Sequence, residues 1–123
     1  MKGIGIDLCD ISRIEQAIER NERFLQRWYT QEEQEYIASR GKAGAQSAAA
    51  MFAAKEAFLK AVGTGISRGI LLTEIAVTHD ELGAPAYQLT GAAQQKMQQM
   101  GAQRAWLSLS HESGMAAAVC VIE

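Results

Sequence analysis

Proline occurs once, and cysteine and histidine twice each, in 123 residues. The two cysteines, Cys9 and Cys120, are too far apart to form a CxxC redox or zinc pair. Each sits among apolar neighbours, so both are expected as buried, reduced thiols. Histidine-rich metal spacings are missing, and so is the glycine-rich P-loop, which sets aside the common metallohydrolase and nucleoside-triphosphatase classes. No apolar run approaches the ~20 residues that a membrane helix needs. The first residues enter a strand pattern directly, without the basic and apolar regions of a signal peptide, so the expected address is the cytoplasm. Charge of one sign is lacking too: 14 acidic against 12 basic residues give a formal net charge of -2. On that balance neither nucleic acid nor a membrane surface is expected as a partner, and any use of charge must be local.

What is present is the composition of an ordinary folded protein, 48% apolar and 21% charged. Without a repeat, low-complexity tail or linker, residues 1–123 are expected to form one domain. Residues 3–8 alternate as a half-buried strand does: Ile4, Ile6 and Leu8 share an apolar face, and Asp7 is a lone acid on a face made of Gly3 and Gly5. Residues 11–29 carry Ile11, Ile14, Ile18 and Leu25 at helical spacing, which predicts one amphipathic helix or two, with a break near Asn21-Glu22. Thr30 and Glu33 have the form of a capping box and start a helix to about Ser39. Residues 40–44 read as a flexible loop, and 45–62 as a long alanine-rich helix stopped by Gly63-Thr64-Gly65. Strands are expected at 75–78 and 86–89 around a turn-rich connection. Thr90 is expected to cap a helix to about Met100, and residues 105–110 and 115–122 to close as a hairpin. The sum is an α+β fold, a mainly antiparallel sheet packed against a long helix and shorter helices.

The most informative segment runs from Phe52 to Gly65. At ~100° per residue, Ala48, Met51, Phe52, Phe58, Leu59 and Val62 make one apolar face with Lys55 inside it and Glu56 and Lys60 along its edge. Spacing alone offers a plain account, in which Glu56 and Lys60 form an i,i+4 surface pair and the Lys55 stem snorkels out of the core.

Four segments in order bear a resemblance that goes further. Gly3-Ile4-Gly5-Ile6-Asp7, Phe52-Ala53-Ala54-Lys55-Glu56-Ala57, Lys60-Ala61-Val62-Gly63-Thr64-Gly65-Ile66 and Leu107-Ser108-Leu109-Ser110-His111 resemble the holo-acyl-carrier-protein synthase family of 4'-phosphopantetheinyl transferases. The likeness spans nearly the whole chain, and its two central segments at fixed distance are specific in combination. It implies transfer of phosphopantetheine from coenzyme A to a serine of an apo acyl carrier protein, with adenosine 3',5'-bisphosphate expelled. An inactive coenzyme A-binding oligomeric domain of the same fold is the alternative, and retention of both acids and Lys60 argues against it. The resemblance also implies Mg²⁺ held by Asp7 and Glu56. Two acids suffice for this ion when a pyrophosphate and waters complete its oxygen shell. Lys60 is the candidate for neutralising or protonating the leaving group. The base for the serine is Asp7 or Glu56, directly or through a water, and the sequence leaves both open.

For coenzyme A the resemblance implies a loop at Gly63, Thr64 and Gly65, where backbone can approach a ligand without side-chain obstruction. Gly83 and Pro85 match a Gly-x-Pro turn that the family places near the adenine, and His111 matches a histidine near the nucleotide end. Arg40 and Lys42 lie where family members carry basic residues for the 3'-phosphate. Ala50-Met51 departs from the family's usual Gly-Arg, and a thioether cannot replace a guanidinium contact to an anion. His79 is expected as a surface residue. If the first helix is continuous, Arg13, Arg20 and Arg27 recur every seven residues with Arg23 beside them, a basic ridge for an acidic carrier protein. The family further implies a homotrimer with active sites between subunits, and an alanine- and valine-rich last strand is compatible with burial against copies of itself.

Overall fold

The computed structural model describes residues 1–63 and 69–123. Strand β1 (Gly3–Asp10) runs straight into helix α1 (Ile11–Arg20), because the Asp10 carboxylate accepts the Ser12 amide and caps the helix. The expected break falls at Asn21, after which come α2 (Phe24–Trp28) and α3 (Gln31–Ser39). Helix α3 starts with the predicted capping box: Thr30 accepts from the Glu33 amide while the Glu33 carboxylate accepts from the Thr30 amide. The expected loop at 40–44 is instead a 3-10 turn, Gly41–Ala43, that leads into the long helix α4 (Gly44–Ala61). A second 3-10 turn, Leu72–Glu74, precedes β2 (Ile75–His79) and β3 (Pro85–Leu89). Helix α5 (Gly91–Gln99) and the hairpin β4 (Ala105–Glu112) and β5 (Met115–Ile122) complete the chain. The last hairpin is longer than the pattern indicated. Ser113 and Gly114, both at positive φ, make the two-residue turn that fits the twist of its strands.

All strand pairs among the described residues are antiparallel, in a three-stranded sheet of order β1-β5-β4 and a two-stranded sheet of β2 and β3. Helix α4 is the organising element, packed against β1, β5, β4 and β2 and against α1 and α3. Its alanines Ala48, Ala49, Ala53, Ala54 and Ala57 are fully buried, with Phe58 and Leu59 among them.

The face of β1 that meets this core reverses a simple hydropathy reading. Gly5 and Cys9 are buried, whereas Ile4, Ile6 and Leu8 are 58%, 63% and 63% exposed. Short side chains explain the choice. A Cβ at Gly3 would overlap the Ala61 carbonyl oxygen and one at Gly5 the Ala57 carbonyl oxygen, so the glycine face alone lets the helix backbone settle on the strand. The outer face of the sheet is left apolar in rows: Ile4, Val121 and Trp106 lie in register, and Ile6 and Val119 in the next row.

Two other expectations are corrected. Lys55 does not snorkel: it is fully buried, within 2.8 Å of the Glu33 carboxylate. Thr90 occupies the N-cap position of α5 without a side-chain bond, and Glu74 does the capping by accepting the Ala92 amide. Cys9 and Cys120 are free, buried thiols, the pKa of each pushed up to about 11, chiefly by burial.

Candidate active site

Asp7 stands on the same strand face as Gly3 and Gly5, so the close approach that those glycines permit also brings its carboxylate to α4. There the Lys60 ammonium lies 3.0 Å from Asp7 Oδ1 and donates as well to the Ile6 carbonyl oxygen. This replaces the i,i+4 Glu56–Lys60 surface pair that spacing suggested. Lys60 belongs to the last turn of α4 and is exposed over 54% of its side chain, against 17% for Asp7. Glu56, one turn earlier, is half-buried. Its carboxyl is held above the usual range, first by burial and next by the Asp7 charge, with the Lys60 charge opposing both. Two acids and one lysine therefore meet where a strand crosses a helix, at a site open to solvent on the lysine side.

The remaining predicted contacts lie elsewhere in the chain. Gly63 follows α4 at φ +78°, as a helix-ending glycine does, while Thr64 and Gly65 fall outside the described residues. Lys42 is in the 3-10 turn before α4, beside a groove lined by Glu15, Ile18, Glu19, Leu25 and Ile37. Gly83, at φ +86°, forms the turn between β2 and β3, and Pro85 opens β3 opposite His79. His111, near the end of β4, lies 3.1 Å from the Gln46 amide through its Nε2 atom. β1 and β4 are the opposite edges of the three-stranded sheet, and β3 packs beside β4. One copy of the chain therefore brings Asp7, Glu56 and Lys60 together but keeps Gly83 and Pro85 apart from them.

Arg13 and Arg20 are exposed on α1, but the break at Asn21 interrupts the continuous ridge. Arg23 becomes the N-cap of α2, and Arg27 lies over the Trp28 ring at 4.7 Å. Arg40 sits over Tyr36, whose ring stacks flat on His79 with centroids 4.0 Å apart. His79 is thus a packed residue and not a free surface one; burial first, and Arg40 next, hold its pKa below the ordinary value. Met51 is buried in the core, so the position that departs from the family offers no surface for an anion. Nothing in the local pattern pointed to Gln46 or Tyr36, because both act through partners more than forty residues away in the chain.

A family model described as the 4'-phosphopantetheinyl transferase superfamily matches residues 3–120. The chain is 49% identical over 122 residues to the holo-[acyl-carrier-protein] synthase of Trichlorobacter lovleyi, covering 98% of this chain and 96% of the relative. It is 45% identical to that of Treponema denticola, over 98% and 97%. Among solved structures, the holo-[acyl-carrier-protein] synthase of Neisseria meningitidis superposes with a TM-score of 0.88 at 37% identity, over 100% of this chain and 98% of the other. The Helicobacter pylori enzyme, solved in complex with coenzyme A, gives 0.82 at 33% identity, over 98% and 99%. With the family model matching nearly end to end, and with relatives of this similarity over their full length, the chain belongs to the 4'-phosphopantetheinyl transferase superfamily, among its holo-[acyl-carrier-protein] synthases.

Proposed function

We propose that the chain transfers the 4'-phosphopantetheine group of coenzyme A to a serine of apo acyl carrier protein, giving the holo carrier and adenosine 3',5'-bisphosphate. The observation that carries this reading is the meeting of Asp7, Glu56 and Lys60 in a chain whose relatives are named for this reaction. Coenzyme A as donor is supported by the Helicobacter pylori relative solved with it. The match over residues 3–120 supports reading residues 1–123 as a single catalytic domain.

Asp7 and Glu56 are hard oxygen donors close enough for the charge of one to raise the pKa of the other. Among the described residues no group of three acids, cysteines or histidines forms a metal site. The pair fits Mg²⁺, which takes one or two carboxylates and leaves its other positions to substrate phosphate and water. Bound there, the ion would neutralise charge on the coenzyme A pyrophosphate. Lys60 has three ammonium protons and two acceptors among the described residues, so one proton is free for a phosphate oxygen. As the serine oxygen forms its bond to the phosphorus that bears pantetheine, the bond from that phosphorus to the bridging oxygen breaks. Lys60 offsets the charge that builds on the departing bisphosphate. The serine proton passes to the carboxylate pair, directly or through a water.

In the same proposal Lys42, Gly63, Thr64, Gly65, Gly83, Pro85 and His111 serve coenzyme A. Arg13 and Arg20, with Arg23 and Arg27 beyond the break, steer and register the acidic carrier. The chain works as a homotrimer whose active sites lie between subunits. That reading is supported by the exposed apolar rows of the outer sheet face and by the separation of Gly83 and Pro85 from Asp7 within one copy. The cytoplasm is the proposed compartment, in keeping with two free thiols.

Incubation with coenzyme A, Mg²⁺ and apo acyl carrier protein, followed by intact-mass measurement of the carrier, tests the reading. The carrier should gain one phosphopantetheine; unchanged mass across several apo carriers would sink the proposal.

A further inference from the structure

Helix α4 carries both helical members of the cluster, Glu56 and Lys60, and much of its packing surface is made of small side chains. Ala48, Ala49, Ala53, Ala54, Ala57 and Ala61 are all buried on it. Short side chains make shallow ridges, which resist turning and sliding less than large interlocked ones. Gly3 and Gly5 present the same smoothness from the strand side. Met51, Phe58 and Leu59 are the large apolar side chains buried on the helix, and the Tyr29 and Tyr87 hydroxyls donate to the Ala48 and Ala54 carbonyls, but along the seam with β1 the contact is made by alanine and glycine.

Lys55 breaks that smoothness. Its ammonium donates to Glu33 Oε1 at 2.8 Å, to the Leu72 carbonyl at 2.9 Å and to the Ile75 carbonyl at 3.1 Å. All three protons are thereby used, on α3, the 3-10 turn and β2. Glu33 in turn accepts from the Thr30 and Val77 amides. The burial that lowers the Lys55 pKa is opposed by the Glu33 charge. A buried pair of this kind adds little to stability over apolar residues of equal volume, but a network so fully satisfied tolerates only one arrangement of the elements it joins.

We propose that Lys55 and Glu33 are positioning residues, a pin that sets the rotation and height of α4 and so aims Glu56 and Lys60 at Asp7. Lys55 and Glu56 are adjacent and diverge by ~100° around the helix axis, so anchoring one directs the other. The same network grips the Leu72 and Ile75 carbonyls, in the 3-10 turn and at the start of β2. This inference rests on Asp7, Glu56 and Lys60 being the reacting centre.

The test is the full-length E33Q/K55M variant. It removes both charges at similar volume; the amide oxygen introduced by E33Q can still accept from the Val77 amide at the expense of the Thr30 amide, while the Thr30 hydroxyl still accepts from the backbone amide of residue 33. The variant should fold, and well below its melting temperature its kcat should fall by roughly 10- to 100-fold with the coenzyme A KM within about threefold. A crystal structure of the variant should have α4 turned and the Lys60–Asp7 contact broken. A folded variant with wild-type kcat would overturn the pin, as would a variant that cannot fold, since the pair would then serve stability. An inactive wild-type protein would instead refute the proposed function and is read separately, in the same carrier-mass assay.

Discussion

Replacing Gly5 with alanine probes the contact on which the cluster depends. The new Cβ would overlap the Ala57 carbonyl oxygen and stand 2.7 Å from the Ala61 amide nitrogen. Both are backbone atoms of α4, so no side chain can swing away. Strand and helix must part by about 1.5 Å to restore ordinary contact near ~3.5 Å. Overpacking of this kind costs ~1–3 kcal/mol. At ~2 kcal/mol, a domain of this length loses roughly 8 °C of Tm. Asp7, two residues on and on the same face, moves away from Lys60 and Glu56 with the strand. Displacement of a reacting group by ~1 Å lowers rates by about 100-fold, equivalent to ~2.7 kcal/mol of barrier. A thermal melt by circular dichroism and the initial rate of carrier modification, taken well below the melt, measure the two effects separately. A Gly5→Ala protein with wild-type Tm and wild-type rate would refute the argument that glycine is there to seat α4 against Asp7.

Asp7→Asn should lower the Glu56 pKa part of the way towards the ordinary carboxylate value in a ¹³C NMR titration, because it removes the second cause of the shift and leaves burial. With a raised folded-state pKa, Glu56 stabilises the fold below its unfolded pKa, and that contribution is lost as pH rises through the folded value. The variant should narrow that window; an unchanged titration would mean that the two carboxylates do not interact. Ile6→Glu places a charge on the outer sheet face beside Val119 and should turn a trimer into monomers by light scattering, with loss of activity. A monomeric wild-type protein, or a trimeric variant, would contradict the shared-site proposal.

Much of the fold was legible because its signals are local. The capping box at Thr30 and Glu33, the break at Asn21 and the glycine that ends α4 all depend on residues a few positions apart. Alternation in β1 told which residues share a face but not which face turns inward. That is decided by the approach of α4, which glycine admits and isoleucine does not. Lys55 looked able to snorkel because its partner Glu33 is 22 residues away on another helix. Separation in sequence also hid Glu74, which displaces Thr90 as the cap of α5. For the cluster, helical spacing placed Glu56 one turn before Lys60, but nothing local indicated that Lys60 would pair with Asp7 across 53 residues of sequence.

In the proposed reaction, phosphopantetheine transfer depends on Asp7 and Glu56 together. Intact-mass time courses of apo acyl carrier protein with coenzyme A and Mg²⁺, comparing wild type with a D7A/E56A variant whose fold is checked by circular dichroism, test it most directly. The wild type should modify the carrier completely and the folded variant almost not at all; a folded variant that modifies the carrier at the wild-type rate would remove both carboxylates from the reaction.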